Sequence, residues 1–427
     1  MHRPLPNFVM NEWISLEELR QAYLECRKRK RSTQACAIFE INEAYNLYEL
    51  YEDLNNFTYE IGYSNAFCVT RPKLREVFAA DFRDRIVHHL IIHKIEPLLE
   101  AEFIETSCSC RVGKGTYYAH QKLHEFALEF ADGWVLSGDI QSYFMSIPKV
   151  QLANEMETFV RANYRGKDIE PLIWLIRMVI MHEPQNRCIY KGDLTLFERL
   201  PPDKSLRTCP KGRGQAIGNL TSQKNGNFHL TPFDKLMLRI IGPAYVRYTD
   251  DFSAFSHDKQ TLLQALPVAR QFLREDRHVN LHPRKICLQP VSKGFKSIGA
   301  AFKRGQIRTG SRTAGNCHDM IRRYNELPDE TLQRAMERFV QKYNSYMGYM
   351  VHYRSFTIRY RLWEYVKEPI KNFVYINDKR SILSIKPEYK TKNILKQEYY
   401  GIRKQHQRKR LHQVKEVTTQ QVAGSIL

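Results

Sequence analysis

Two carboxylates stand side by side in the stretch VRYTDDFSAF, residues 246–255, between runs of strand-forming residues. Ala244, Val246 and Tyr248 before the pair, and Phe252, Ala254 and Phe255 after it, predict two short strands that meet at the acids. Asp250 and Asp251 would then sit at a hairpin tip. Carboxylates held together repel each other, and a divalent cation with hard oxygen ligands relieves the repulsion. A third acid, Asp139, closes the apolar stretch WVLSGDI and is followed by the aromatic pair Tyr143 and Phe144. Each acid alone would pass for an ordinary strand end or solvated turn. Together, acids from two neighbouring strands supply what a two-cation phosphoryl-transfer site needs, with the metals roughly 3.5 to 4 Å apart.

Between the acids in sequence lies KGRGQAIGNLTSQKNGNF, residues 211–228, a glycine-rich turn feeding a predicted helix. Glycines allow close approach of backbone to a ligand, and a helix N-terminus favours phosphate. Upstream, RPKLREV offers Arg71, Lys73 and Arg75 on a predicted hairpin with a basic tip. Arginine suits bidentate phosphate contacts and lysine acts as a point charge, so this hairpin has the chemistry to meet a triphosphate.

The elements that must position these residues follow from periodicity. The first 60 residues are helical by the three and four residue spacing of apolar positions in SLEELRQAYLEC and FEINEAYNLYELYEDL. Arg27-Lys28-Arg29-Lys30-Arg31 between them is either a solvated helix end or a phosphate contact. A helix rich in His and Ile follows the hairpin, residues 149–182 are helical, and 184–213 is loop. Helices are predicted for Asn219 to Leu238 and for HDKQTLLQALPVARQFLRE, then short strands through SIGAAF, then a helical block from His318 to about Lys371. The remainder is basic and poor in apolar residues, as a flexible tail would be. Strands interspersed with helices, with acids on strand ends, describe an α+β protein with an antiparallel central sheet.

Bulk properties narrow the partners. In 427 residues there are 66 Lys and Arg against 46 Asp and Glu, a formal charge of +20 that favours a polyanionic partner, nucleic acid first. No run of about 18 apolar residues occurs, which argues against a membrane span. The N-terminus MHRPLPNFVMNEW lacks the apolar core of a signal peptide, so a cytoplasmic protein is expected. The 9 scattered cysteines argue against a disulfide framework. Cys108 and Cys110 form a CxC, and His89 and His93 have the spacing of a zinc pair, but neither set has further ligands nearby, and thiol or histidine packing is the simpler reading.

The motifs also resemble a family. YTDD fits the YxDD signature of reverse transcriptases. In the order seen there, RPKLREV resembles the fingers hairpin, GDIQSYF the first palm acid motif, GQAIGNLTSQ the glycine-rich motif, and NLHPRKICL and SIGAAF the last palm motifs and primer grip. IGNLTSQ, REVFAADFRDRIVHH and SCRVGKGT look most like reverse transcriptases of diversity-generating retroelements, bacterial or phage enzymes that copy a template RNA with frequent errors at adenines. Retron or defence-associated reverse transcriptases are the alternative, and an inactive RNA-binding protein on a polymerase scaffold is a second. The chain has Thr249 where the family often has Met, and Ala216 where it often has Pro.

The resemblance implies a right-hand polymerase: fingers over 1–135, palm over 136–310, helical thumb over 311–375 and a basic tail over 376–427. It implies two Mg2+ ions, replaceable by Mn2+, on Asp139 and Asp250 with the Ile140 carbonyl helping and Asp251 completing the acidic cluster. Arg75 would hold the triphosphate with Lys73 in support, Phe144 would exclude a ribose 2′-hydroxyl, and Gly218, with Ile217 beside it and Gln223 on the next helix, would let template and incoming base pack closely. Lys285 would protonate the pyrophosphate leaving group. Implied partners are template RNA, the RNA/cDNA duplex, dNTPs and a small basic oligomeric accessory protein. Ile217 stands where accurate retroviral relatives have a Gln that hydrogen-bonds the incoming nucleotide. An Ile can only pack there, so errors would concentrate at template adenine.

Overall fold

The computed structural model describes residues 12–31, 33–71 and 73–390, and the strand runs around the acids do become strands. The chain opens with helices α1 (Leu16–Arg27), α2 (Gln34–Ile41) and α3 (Glu43–Asn55), then the hairpin β1 (Ser64–Val69) and β2 (Arg75–Ala79). Helices α4 (Phe82–Glu102) and α5 (Thr116–Glu129) lead to β3 (Trp134–Asp139), the single turn α6 (Tyr143–Ser146), and helices α7 (Lys149–Asn163) and α8 (Ile169–Met181). After β4 (Cys188–Tyr190) and the short α9 (Thr195–Glu198) come α10 (Leu220–Ile241), β5 (Tyr245–Tyr248), β6 (Asp251–Ser256), α11 (Lys259–Glu275), β7 (Cys287–Pro290) and β8 (Phe295–Ser297). These make up a first unit that ends at Ile298.

The second unit begins at Gly299 and has its own core, built from Met320, Ile321, Phe339, Tyr343 and Met347 among others. It contains the hairpin β9 (Ala300–Lys303) and β10 (Gln306–Thr309), helices α12 (Ser311–Asn325), α13 (Asp329–Met350), α14 (Phe356–Glu364) and α15 (Glu368–Lys371), and the hairpin β11 (Val374–Ile376) and β12 (Leu383–Ile385). The fold is mixed α+β with small, largely antiparallel sheets.

The central sheet of the first unit runs β5-β6-β3-β7, every neighbour antiparallel. Its β6 is buried on both faces, which is why DFSAFS reads as a nearly continuous apolar run. Phe252 joins the main core with Leu136, Phe233 and Tyr245, while Phe255 points the other way onto Phe126, Phe130 and Phe295. Each ring contributes about 1.5–3 kcal/mol when fully buried. A one-residue slip would exchange the two faces, so the register is strongly fixed. That register sets Asp139 directly opposite Asp251 and Gly138 opposite Phe252.

Gly138 is required by this arrangement. A Cβ there would lie 2.5 Å from Phe252 Cζ and 3.3 Å from Leu281 Cδ1, and Phe252 is buried with nowhere to retreat. The two central strands come together over Phe252 only because the residue preceding the acid has no side chain.

Three features differ from expectation. Residues 188–190, read as loop, form β4 and pair in parallel with β1, Ser64 opposite Cys188. Three residues are too few to show a period. The C-terminal helical block starts at Ser311 rather than His318, and the β11–β12 hairpin carries regular structure beyond residue 376, where the sequence suggests a tail. Residues 391–427, with the basic run RKQHQRKR, lie outside the described residues.

Replacing Gly138 with Ala is expected to destabilise the first unit by about 1–3 kcal/mol, the range of an overpacked core position. A denaturant titration followed by tryptophan fluorescence measures it; an unchanged midpoint would mean that Phe252 is not held as described.

Candidate active site

The acidic turn is short and strained. Tyr248 pairs with Asp251, leaving Thr249 and Asp250 as the loop between β5 and β6. Thr249 takes φ +59°, a left-handed conformation that a β-branched side chain seldom adopts. The Asp250 carbonyl accepts the Ile140 N–H at 3.1 Å, which ties the turn to the end of β3. On the other side of β3, the His282 N–H donates to the Asp139 carbonyl at 2.8 Å and the Gln141 N–H to the Asn280 carbonyl at 2.8 Å. Asp139 is therefore gripped from both neighbouring segments.

Asp139, Asp250 and Asp251 lie within reach of one another's charge. Burial, then the charge of Asp139, raises the pKa of Asp250, with Arg75 and Lys285 opposing the shift. Asp251 is pushed up to about 7 by burial first, then by Asp250 and Asp139. Lys285 Nζ lies 2.8 Å from Asp139 Oδ1 and supplies a positive charge at the cluster. The donor chemistry, hard carboxylate oxygens under mutual repulsion, fits divalent cations of the Mg2+ type. Among the described residues, however, no three His, Cys, Asp or Glu side chains converge as a ready-made metal cluster.

The other expected residues fall on three elements around the acids. Arg75 starts β2, exposed, and its charge reaches Asp250. Lys73 is exposed in the turn before it. Gly218 has φ +119°, and a Cβ there would meet Val77 Cγ1 at 2.8 Å, so the glycine-rich segment docks against β2 through a position only glycine fills easily. The dock is sealed by the Phe78 N–H donating to the Ile217 carbonyl at 3.2 Å. Ile217 itself packs beside the small core cluster of Ala66, Phe78, Met145 and Ala216. Phe144 is half-buried on α6, its ring 5.6 Å from that of Tyr143 and close to Gly226. Gln223 is exposed on the first turn of α10. A cavity of about 590 Å³ lies alongside, lined by Gln141, Ser142, Asp203, Arg213, His278 and Asn280 among others, but not by Asp139, Asp250 or Asp251.

Sequence reasoning missed the residues that hold the turn. Arg247 is fully buried and makes a bidentate pair with Asp234 of α10, Nε to Oδ1 and Nη2 to Oδ2 both at 2.7 Å. Its remaining donors reach the Thr249 carbonyl at 2.9 Å, Asn227 Oδ1 at 3.2 Å and Ser107 Oγ at 3.0 Å, and the Tyr245 hydroxyl donates to Asp234 Oδ1 at 2.9 Å. The only signal in the sequence was a lone charge at an inward position of an apolar strand. In the histidine-rich helix His88 is buried with Nδ1 3.2 Å from the Thr221 hydroxyl, burial pushing its pKa down to about 3, while of the spaced pair His89 is half-buried and His93 is exposed with Nδ1 3.8 Å from Glu25; Cys108 is buried and Cys110 exposed. Arg27 bonds Tyr23 and pairs with Glu40.

No protein-family model and no curated protein matches the chain. Among solved structures it is similar to telomerase from Candida albicans in complex with a TWJ fragment of telomeric RNA, at 9% identity and a TM-score of 0.42. The match covers 73% of this chain and 59% of the telomerase chain, so it spans less than two thirds of that protein, and the likeness is too slight to bear on function.

The buried ion pair makes a sharp prediction. Asp234→Ala leaves Arg247 buried without its counter-charge and should cost about 3–5 kcal/mol, whereas replacing both residues with apolar ones of similar volume should cost much less. Chemical denaturation of the single and double variants decides it; a single variant no worse than the double would show that the pair does not act as a unit.

Proposed function

We propose that the chain is an RNA-directed DNA polymerase, a reverse transcriptase, working by nucleotidyl transfer with Mg2+, or Mn2+ in its place, at Asp139, Asp250 and Asp251. The observation that carries the proposal is the position of these three carboxylates at adjoining strand ends of an antiparallel sheet, where burial first and then the neighbouring carboxylates raise the pKa values of Asp250 and Asp251. In this reading residues 1–135 act as fingers, 136–310 as palm and 311–375 as thumb. The template is RNA, the product an RNA/cDNA duplex, and the substrates dNTPs.

Asp139, Asp250 and Asp251 would hold the cations, which when bound polarise the phosphoryl oxygens and neutralise charge that develops on them. Arg75, at the start of β2 and within electrostatic reach of Asp250, binds the triphosphate. Phe144 excludes a 2′-hydroxyl sterically. Lys285, half exposed and at hydrogen-bond distance from Asp139, gives a proton to the departing pyrophosphate in this reading. The Ile217 side chain packs and offers no hydrogen bond to the incoming nucleotide. On that ground we assign the enzyme to error-prone copying of the diversity-generating kind, with a basic oligomeric accessory protein as partner and a cytoplasmic site of action.

Primer extension on a primed RNA template with Mg2+ and dNTPs tests the proposal: RNA binding without extension would leave only a binding protein. In the same assay Phe144→Val should admit ribonucleotides, and unchanged rNTP discrimination would place the sugar gate elsewhere. Deep sequencing of the cDNA should show errors concentrated opposite adenine. Ile217→Gln should lower them roughly tenfold, the worth of a hydrogen bond of about 1–2 kcal/mol. Adenine copied as accurately as guanine would make a retron or defence-associated enzyme the better assignment.

A further inference from the structure

The segment after α4 runs beside β5 and ends at the acidic turn. The Arg247 N–H donates to the Thr106 carbonyl at 3.0 Å and the Cys108 N–H to the Arg247 carbonyl at 2.9 Å. Arg111 braces the segment from the other side, bonding the carbonyls of Ile104 and Ser107 at 2.6 and 2.9 Å and pairing with Glu100 of α4 at 2.7 Å. Next to Arg247 this braced segment carries Ser109, which is buried and whose carbonyl accepts from Asn227 Nδ2 at 2.6 Å. Its hydroxyl lies 2.7 Å from the hydroxyl of Thr249.

Thr249 is therefore pinned at two points, its hydroxyl by Ser109 and its carbonyl by Arg247. A β-branched residue at φ +59° persists only where its surroundings over-determine it, and these two bonds do so. We propose that Ser109 is a positioning residue for the acidic turn: the Ser109–Thr249 hydroxyl pair holds Thr249 in its left-handed conformation and so sets the direction in which Asp250 and Asp251 leave the turn. The inference rests on the proposal that these acids bind cations for nucleotidyl transfer. It gives a role to the SCSCR segment that metal binding by Cys108 and Cys110 does not.

The test is Mn2+ titration of the full chain by electron paramagnetic resonance, alongside the Mg2+ dependence of primer extension. Thr249→Val keeps the β-branch and removes the hydroxyl, and Ser109→Ala removes its partner. Each should weaken Mn2+ binding and raise the Mg2+ requirement by roughly three- to tenfold, the effect of one hydrogen bond. The double variant should be no worse than either single one, because the pair acts as a unit. Ser109→Thr, which retains a hydroxyl, should stay close to the unsubstituted chain.

Asp250→Asn separates the two levels of the argument. If it loses Mn2+ while Ser109→Ala and Thr249→Val retain full affinity, the positioning role is overturned and the cation assignment stands. A lowered unfolding midpoint with unchanged Mn2+ affinity overturns it equally, since the bond is then structural only. If the unsubstituted chain binds no Mn2+, or Asp250→Asn binds it as well, both fall together.

Discussion

A guanidinium with no access to water must be paired, and Arg247 meets that constraint in a way that fixes much of its surroundings. The pairing draws in Asp234 from the middle of α10, Asn227 two turns earlier on the same face of that helix, Ser107 from the segment after α4, and the carbonyl of Thr249 from the turn. Helix, loop and strand are tied together through this one side chain. Buried ion pairs add little net stability, because desolvation offsets most of the Coulomb gain. What this one supplies is geometry at the turn that carries Asp250 and Asp251.

A second constraint is the opposition between local and global charge. The chain is formally +20, which attracts polyanions over long distances. Yet Asp139 at the end of β3 and Asp250 and Asp251 at the β5–β6 turn lie within reach of one another's charge, where a phosphate would be repelled. Arg75 and Lys285 offset part of this, as their lowering influence on Asp250 records. Under the proposed function, divalent cations complete the compensation: the basic surface gathers nucleic acid, and the acidic turn admits a triphosphate only together with its metal ions.

How much could be read in advance differs between these layers. The hairpin around Asp250 and the strand ending at Asp139 were legible because each is a run of strand-forming residues closed by an acid. Their register was not: Asp139 faces Asp251 because Phe252 and Phe255 divide between the two faces of the sheet, a consequence of packing against helices far away in sequence. Gly138 belongs to the GDIQSYF motif, but the position of the Phe252 ring is what explains it. The contact between Lys285 and Asp139 joins residues 146 apart, and the Arg247 network joins a strand to the centre of a helix, so no local period could announce either. β4 is missed for the opposite reason, being too short to have a period at all.

The most direct measurement is primer extension by the unsubstituted chain and by Asp250→Asn on the same RNA template, with RNA binding followed in parallel at fixed salt. Removing the Asp250 charge should lower incorporation by orders of magnitude, while RNA binding, which depends on the basic surface, persists. Near-normal extension by Asp250→Asn would contradict the assignment of the acidic turn as the catalytic centre.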